Sequence, residues 1–338
     1  MKRNLLYIGN KLSKKGSTVT SIETLGNFLK AEGFQVTTAS SKKNKGVRLL
    51  DMLWSVVKHN KKNTVVLIDT YSTQNFYYAV MVARLCRCYK LPYIPILRGG
   101  NLPSRLQKSP KKSKALFHGA QVNVAPSHYL LEAFKSEAYT NLVHIPNTIE
   151  IANYPFKPRK KVQPRLLWVR SFAQLYNPLL ALDVLSNLLK KGYDATLTMV
   201  GPPKDESFQQ CKKRAEEENL PVTFTGMLSK QQWIALAASQ DIFINTTNFD
   251  NTPVSVIEAM ALGLPVVSTN VGGLPYLIED TKDGFLVPPN STEKFTAAVE
   301  TVLKNPKKSQ EIALAARHKV EQFDWQIVKH QWISLLSQ

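Results

Sequence analysis

The sequence has few cysteines and no long apolar run, and these absences limit the class of protein. Only three cysteines occur, and Cys86 and Cys88 are separated by one residue instead of the two of a redox or zinc pair. Cys211 stands alone. We therefore expect free thiols in a reducing cytoplasm. No apolar stretch approaches the roughly 20 residues that span a bilayer. The apolar start, LLYI, is also shorter than the roughly 7–15 residues of a signal peptide.

Several common catalytic signatures are also missing from the sequence. There is no His/Cys cluster and no Asp-x-Asp pair at metal-ligand spacing, so we expect no metal site. The Gly-x-Ser-x-Gly elbow of hydrolases and the Walker phosphate loop are absent as well. These absences argue against metalloenzymes, serine hydrolases and P-loop NTPases.

Acidic residues are scarce in the first half of the chain. Residues 1–163 contain 27 Lys or Arg against 7 Asp or Glu, whereas residues 164–338 contain 17 against 18. The net charge of +19 is therefore confined to the first half. Two halves with such different surfaces are expected to meet different partners.

Apolar runs alternate with amphipathic stretches along the whole chain. NLLYIG (4–9) and TVVLIDTY (64–71) are typical of buried strands, and the pattern restarts with RLLWVRS and ATLTMVG after residue 164. The Pro- and Lys-rich stretch NYPFKPRKKVQP (153–164) between the two series resembles a linker. The sequence therefore predicts two α/β domains with parallel sheets.

The predicted domains cover residues 1–160 and 164–323. The last stretch, 324–338, is an aromatic-bearing amphipathic helix, which we expect to pack back on the first domain. A length of 338 residues is also more than one small core needs. In sheets of this kind, ligands bind at the carboxyl ends of the strands.

A basic segment in the first half surrounds an amphipathic helix. Val47, Leu50, Trp54 and Val57 recur at steps of three and four, which places them on one helix face. Lysines and arginines are dense in residues 42–62 and again in residues 105–114. One interpretation is contact with an anionic membrane surface; the other is a solvated basic face. No nucleic-acid recognition motif accompanies the charge, so we expect no nucleic-acid partner.

A carboxylate interrupts an apolar helix in the segment FDNTPVSVIEAMALGLPVVSTNVGG (249–273). Asn251 or Thr252 is suited to cap this helix, and Pro253 suits its first turn. The amides at the start of the helix would suit a diphosphate. Glu258 needs a partner if it is buried. The carboxylate could accept hydrogen bonds from ribose hydroxyls, or it could be hydrated or paired with a Lys at the helix flank.

The segment resembles the E-x7-E region of glycosyltransferase family 4, with Asp250 in place of the first Glu. Further similarity lies in WVRSFAQLYNP (168–178), MVGPP (199–203), FTGML (224–228) and DGFLVPP (283–289). The first half is similar in organisation only. The resemblance implies a GT-B fold, in which two Rossmann-like domains face each other across a cleft. It also implies retaining transfer from a nucleotide sugar.

The resemblance assigns roles to individual residues of the second half. Glu258 would bind the donor ribose, and Asp250 would contact the donor sugar. Gly226 and Met227 match the segment that touches the base. The residues that would approach the sugar and the phosphate are Asn251, Thr252, Pro253 and Val254.

Two positions depart from the family pattern. Relatives carry an Arg and a Lys after the first strand of the donor domain, whereas this sequence has Arg170 alone, one position earlier. Arg170 would stabilise the departing diphosphate or form a surface pair. Arg98 occupies the place of a His that many relatives carry after the fourth strand of the first domain. Whether it takes over the contact with the donor stays open. His118 and His128 lie elsewhere and are interpreted as structural.

The loop after the first strand is a further candidate for phosphate contact. Gly16 and Ser17 precede a predicted helix, and a glycine there allows close approach of backbone amides. A plain turn explains the same residues equally well.

The resemblance implies a retaining hexosyltransferase that takes a UDP- or GDP-sugar as donor, and we expect it to need no metal or other cofactor. Its acceptor would be a glycan or a lipid-linked glycan of cell-surface polysaccharide synthesis, at the inner face of the plasma membrane. Three alternatives are a catalytically impaired nucleotide-sugar-binding partner, another GT-B activity such as a nucleotide-sugar epimerase, and a nucleic-acid-binding protein.

Overall fold

Two structural units divide the chain. The computed structural model describes residues 3–13 and 19–337. Unit 1 consists of Met1–Asn147 and Trp325–Gln338, and unit 2 consists of Thr148–Asp324. Each unit is built on one parallel sheet of six strands.

Unit 1 has the strand order β2-β1-β3-β4-β5-β6. Its strands are β1 Asn4–Ile8, β2 Gln35–Ala39, β3 Thr64–Thr70, β4 Tyr93–Leu97, β5 Asn123–Ala125 and β6 Leu142–His144. Its helices are α1 Ser21–Ala31, α2 Lys45–Lys58, α3 Asn75–Cys88, α4 Leu102–Lys108, α5 Pro110–Phe117, α6 His128–Ser136 and α14 Trp325–Ser337. The central strand β3 is buried along its whole length, as expected for a parallel sheet covered on both faces.

Helices cover both faces of the unit 1 sheet. Helices α2 to α6 pack on one face around Phe76, Phe117 and Phe134. On the other face α1 packs with α14, whose Trp325 and Trp332 are buried in the same cluster as residues of β1 and β3. The last helix of the chain thus completes the core of the first unit.

Helix α2 buries one side and exposes the apolar stripe that its sequence periodicity predicts. Its inner side is formed by Met52 and Val56 together with the buried side chain of Arg48. The apolar residues that recur at steps of three and four are exposed: Val47, Leu50, Trp54 and Val57. The periodicity therefore predicts the helix, but the side of it that faces the core is a different one.

Unit 2 has the strand order β12-β11-β10-β7-β8-β9. Its strands are β7 Arg165–Val169, β8 Thr196–Val200, β9 Val222–Gly226, β10 Ile242–Asn245, β11 Val266–Thr269 and β12 Phe285–Val287. Its helices are α7 Pro178–Lys190, α8 Ser207–Glu217, α9 Lys230–Ala237, α10 Val254–Ala261, α11 Leu274–Leu277, α12 Thr292–Lys304 and α13 Pro306–Glu321. Two apolar clusters, around Trp168 and around Met260, cover the two faces of this sheet.

Residues 148–160 belong to unit 2, although the predicted first domain extends to residue 160 and the stretch 153–164 resembles a linker. Arg159 is buried and donates hydrogen bonds to the carbonyl oxygens of Gln240 at 2.8 Å and Gly263 at 2.9 Å. Tyr154 is buried in the apolar cluster around Met260. This basic, Pro-rich stretch is therefore attached to unit 2 by hydrogen bonds that composition does not disclose.

Candidate functional site

The strand order of unit 2 places its switch point between β7 and β10. These two strands are neighbours in the sheet, whereas the chain continues from β7 toward β8 and from β10 toward β11, on opposite sides. The loops that follow them therefore diverge at the carboxyl edge of the sheet. A crevice of this kind is where parallel α/β sheets bind ligands.

Arg170 and Asp250 meet at this switch point. Arg170 directly follows β7, and Asp250 lies in the loop after β10. A guanidinium nitrogen of Arg170 forms an ion pair with the Asp250 carboxylate, and the guanidinium lies over the ring of Tyr176 at 4.7 Å. Both charged side chains are largely buried. Two of the predicted catalytic residues are thus brought together.

A glycine pair supports the backbone next to Asp250. A Cβ atom on Gly272 would lie 2.1 Å from the carbonyl oxygen of Asp250, and one on Gly273 would lie 1.9 Å from that of Asn251. The Gly273 amide also donates a hydrogen bond of 3.0 Å to the Asp250 carbonyl oxygen. Because only hydrogen fits at these two positions, the loop after β11 fixes the position of the loop after β10.

Helix α10 begins one residue later than the sequence predicts. The residue at the N-cap is Pro253, and no side chain caps the helix, so the predicted cap by Asn251 or Thr252 is wrong. Asn251 is buried, and its backbone amide donates a hydrogen bond of 2.8 Å to the Asp250 carboxylate. This bond keeps Asn251 in the turn that precedes the helix. The amides of Val256 and Ile257 donate to the Pro253 carbonyl oxygen at 3.1 and 3.3 Å, which leaves the amides of Val254 and Ser255 outside the hydrogen-bond ladder of the helix.

Glu258 is buried, with an exposed fraction of 3%. The Tyr154 hydroxyl donates a hydrogen bond of 2.7 Å to its carboxylate, and the Lys230 ammonium forms an ion pair with the same oxygen. Burial raises the pKa of Tyr154, and the charge of Glu258 raises it further, so the hydroxyl stays protonated and donates. Glu258 is therefore paired with a lysine, which was one of the alternatives that the sequence left open. Lys230 itself is half exposed.

Two further donor-site predictions, Gly226 and Met227, lie at the end of β9. Gly226 ends β9 with a positive φ of 71°, and its carbonyl oxygen accepts a hydrogen bond of 2.9 Å from the Gly201 amide. Met227, next to it, is exposed. Gly16 and Ser17 lie outside the described residues.

Arg98 belongs to unit 1, where it directly follows β4. It donates a hydrogen bond of 3.2 Å to the fully buried carboxylate of Asp69 and one of 2.6 Å to the side chain of Asn147. The Tyr7 hydroxyl donates to the same Asp69 oxygen at 2.9 Å. Burial is the largest influence on Asp69 and raises the pKa of its carboxyl. Arg98 is thus held in a polar network at the ends of β1, β3 and β4.

Three histidines of unit 1, His118, His128 and His144, lie against aromatic rings. His118 stacks on Tyr139 with ring centroids 4.6 Å apart, and His128 lies 4.1 Å from His144. Burial is the main reason why the pKa of His144 is lowered to about 4, and the charge of His128 adds to the effect.

Four residues of these networks were not predicted from the sequence: Lys230, Tyr154, Asp69 and Asn147. Lys230 follows the FTGML motif, so the motif alone could have suggested it. Tyr154 lies in the apparent linker, and Asp69 ends an apolar strand. A carboxylate at the end of a fully buried strand is the only signal that could have indicated Asp69.

Comparison with known proteins matches unit 2 to a family of enzymes. The model of the family "Glycosyl transferases group 1" matches residues 150–319. The sulfoquinovosyl transferase SQD2 of Arabidopsis thaliana is 30% identical over 149 residues, which are 43% of this chain and 28% of that protein. The glycogen synthase of Mycobacterium tuberculosis is 28% identical over 187 residues, which are 54% of this chain and 45% of that protein.

The whole chain is also similar to a solved structure. The crystal structure of Anabaena HepE in complex with UDP and glucose has a TM-score of 0.78 at 17% identity and covers 99% of both chains. At this identity the similarity shows the fold alone. This chain spans less than half the length of the two curated relatives, which therefore contain further sequence.

The similarity to the solved structure confirms the predicted α/β fold of GT-B type. The chain belongs to the family of glycosyl transferases group 1. None of the helices in the described ranges combines the length and the apolarity needed to cross a membrane.

Proposed function

We propose that the protein is a retaining, family 4 glycosyltransferase that moves a hexosyl unit from a UDP- or GDP-sugar to a glycan or lipid-linked acceptor. The observation that carries the proposal is the Arg170–Asp250 pair at the switch point of unit 2. HepE was solved with UDP and glucose, which supports a nucleotide-sugar donor. The glycogen synthase relative supports a glycan as acceptor.

Arg170 would act on the leaving group. The bond between the anomeric carbon and the diphosphate oxygen breaks, and negative charge develops on the diphosphate. A guanidinium and the amides at the start of α10 are suited to stabilise that charge. The acceptor hydroxyl bonds to the anomeric carbon on the same face, and its proton passes to the departing phosphate.

Asp250 and Glu258 would hold the rest of the donor. A diphosphate oxygen would replace Asp250 as the partner of Arg170, which leaves the Asp250 carboxylate to accept a hydrogen bond from a sugar hydroxyl. Glu258 would accept hydrogen bonds from the ribose while keeping Tyr154 as its donor. Arg98 is kept in this proposal as a contact of the donor sugar or phosphate. We propose that the transfer needs no metal and that it takes place at the cytoplasmic face of a membrane, in cell-surface polysaccharide synthesis.

A second function is a nucleotide-sugar-binding partner that has lost catalysis. The observation that favours it is that both acidic groups already have cationic partners, Arg170 for Asp250 and Lys230 for Glu258. Tyr176 stands where relatives carry a lysine, and its ring lies 4.7 Å from the guanidinium of Arg170. Such a protein would bind the donor without turnover.

Titration calorimetry with UDP-glucose and GDP-mannose, with and without EDTA, tests the binding step. We expect saturable, EDTA-insensitive binding of one of the two. Proton NMR of slow donor hydrolysis then tests the chemistry, and we expect the α-anomer of the sugar to appear first. The β-anomer appearing first would contradict retention, a 2-epimer would indicate an epimerase, and binding without any product favours the inactive partner.

A further inference from the structure

Helix α2 is apolar on two opposite sides. The inner side packs Met52 and Val56 into the core of unit 1. The outer side carries four exposed apolar residues, with exposed fractions of 49% for Val47, 67% for Leu50, 66% for Trp54 and 39% for Val57. Because a helix turns through about 100° per residue, these four lie along one stripe, opposite the inner side. No described part of unit 1 covers this stripe.

The neighbouring helix extends the apolar surface. Helix α3 packs beside α2, and Lys45 on α2 donates a hydrogen bond of 2.8 Å to Gln74, the residue before α3. The outer side of α3 exposes Tyr77 by 42% and Met81 by 43%. Single exposed apolar residues are ordinary in soluble proteins, whereas a group of this extent indicates a surface that meets a partner. We call the outer sides of α2 and α3 the α2–α3 face.

Positive charge borders the α2–α3 face. Exposed lysines lie before α2, at and after its C-terminal end, and on α5, which packs beside α3: Lys42, Lys43, Lys58, Lys61, Lys62, Lys111, Lys112 and Lys114. The Lys112 ammonium lies 4.7 Å from the ring centre of Tyr77. Residues 42–62, 75–88 and 105–117 contain a single acidic side chain, Asp51, which accepts a hydrogen bond from Ser40. An apolar stripe with a basic border is the pattern of a helix that lies in the interface of an anionic bilayer.

We propose that the α2–α3 face docks unit 1 on an anionic bilayer, with Leu50 and Trp54 in the headgroup region and the lysines on lipid phosphates. Tryptophan is favoured at that depth, where one side of the ring is apolar and the other is wet. A second copy of this chain is a poorer occupant, because it would bring two basic borders together. The inference deepens the proposed function, since it names the face that would meet a membrane carrying the acceptor.

The tryptophans of the chain provide a direct measurement. Of the five tryptophans, all within the described ranges, Trp54 is exposed and the other four are buried, with exposed fractions of 4% or less. Vesicles of phosphatidylglycerol and phosphatidylcholine are titrated into the protein at low salt. We expect the emission to shift to the blue and Trp54 to become protected from acrylamide. Vesicles of phosphatidylcholine alone should give neither change.

Matched variants separate insertion from general charge attraction. Leu50→Ser should weaken vesicle partitioning about tenfold or more, as expected for the loss of one buried aliphatic side chain. Leu314→Ser, at a residue of unit 2 that is 46% exposed, should leave partitioning unchanged. Trp54→Phe should keep most of the binding in a flotation assay and lose the spectral shift. Thermal unfolding checks that each variant is folded.

Calorimetry with the sugar nucleotides on the same preparation distinguishes the two proposals. Donor binding without any change in Trp54 emission would overturn the docking proposal and leave the proposed function standing. Vesicle insertion without donor binding would overturn the proposed function and leave the docking proposal standing. Insertion that is equal in Leu50→Ser and the parent protein, or a self-association that Leu50→Ser abolishes in sedimentation, would also overturn docking on the bilayer.

Discussion

The ion pair of Arg170 and Asp250 joins the ends of two strands that are neighbours in the sheet but distant in the chain. Arg170 follows β7 and Asp250 lies beyond β10, so the pair crosses the switch point. A cation and an anion held together there have two possible roles. The pair either stabilises the fold, or it forms a binding site in which a charged ligand replaces one of the two residues.

Arg170→Met is expected to damage both stability and activity. Removing one partner of a largely buried pair leaves Asp250 uncompensated, which costs about 3–5 kcal/mol. The loss of a cation at the leaving group should lower kcat by about 10²–10³. Urea unfolding and steady-state transfer with UDP- or GDP-sugars measure the two effects.

The double variant Arg170→Met/Asp250→Leu separates these roles. Because it removes both charges, it should recover much of the lost stability without recovering activity. If the double variant regains full transfer, Arg170 has no part in the chemistry and the pair is structural.

Glu258→Gln is expected to weaken donor binding. The amide oxygen can still accept the hydrogen bond from Tyr154, so the fold should be kept. Hydrogen bonds from ribose hydroxyls to a carboxylate contribute about 1.5–3 kcal/mol, which corresponds to a roughly tenfold to hundredfold rise in Kd. Calorimetry with the preferred sugar nucleotide gives the value. Glu279→Gln, at an exposed carboxylate that pairs with Lys282, is the matched control. Equal affinity of both variants would remove Glu258 from the donor site.

Gly273→Ala is expected to disturb the loop that carries Asp250. The backbone of Gly273 has a φ of −87°, which alanine also adopts, so the effect comes from the added methyl group against the Asn251 carbonyl. Forcing the two loops apart should cost about 1–3 kcal/mol and reduce donor affinity. Gly192→Ala is a useful comparison, since an added Cβ meets nothing there and only the positive φ opposes it. Its unfolding free energy should fall by about 1 kcal/mol with donor binding intact.

His144 should make stability depend on pH. Its pKa is lowered to about 4 in the folded protein from the ordinary value of 6.5. The unfolded chain therefore binds the proton first, and the stabilisation is fully present above pH 6.5 and is lost as the pH falls to about 4. The loss amounts to at most about 3 kcal/mol, and less because the ring is partly exposed.

His144→Gln removes this titration and should flatten the pH dependence of the unfolding free energy between pH 7 and pH 4. Urea unfolding at several pH values measures it. His128→Gln is the second variant, because His128 is the ring that faces His144. If the unfolding free energy of His144→Gln depends on pH as steeply as that of the parent protein, another group titrates in this range.

The strands and the donor segment could be predicted because their residues carry local signals. Continuous apolar runs gave β1 and β3 almost to the residue, since a strand buried on both faces needs apolar side chains at every position. The Asp250-x7-Glu258 spacing likewise predicted a loop followed by a helix, because the motif lies within one short segment.

Long-range partners could not be predicted in the same way. Tyr154 meets Glu258 across 104 residues of sequence, and Arg98 meets Asn147 across 49. Helix α2 shows a different limit, because periodicity finds an apolar stripe but does not say whether the core or the outside receives it. For a helix with two apolar stripes, only its packing against the sheet determines which stripe is buried.

The position of α14 has a consequence for biosynthesis. Trp325 and Trp332 are buried in the core of unit 1, although about 180 residues of unit 2 separate them from the rest of that unit. A ribosome releases the chain from its N-terminus, so the first unit emerges without two of its core tryptophans. Unit 2 emerges whole before them. The segment made first is therefore the one that finishes folding last, and until then part of its apolar sheet face is left for chaperones to shield.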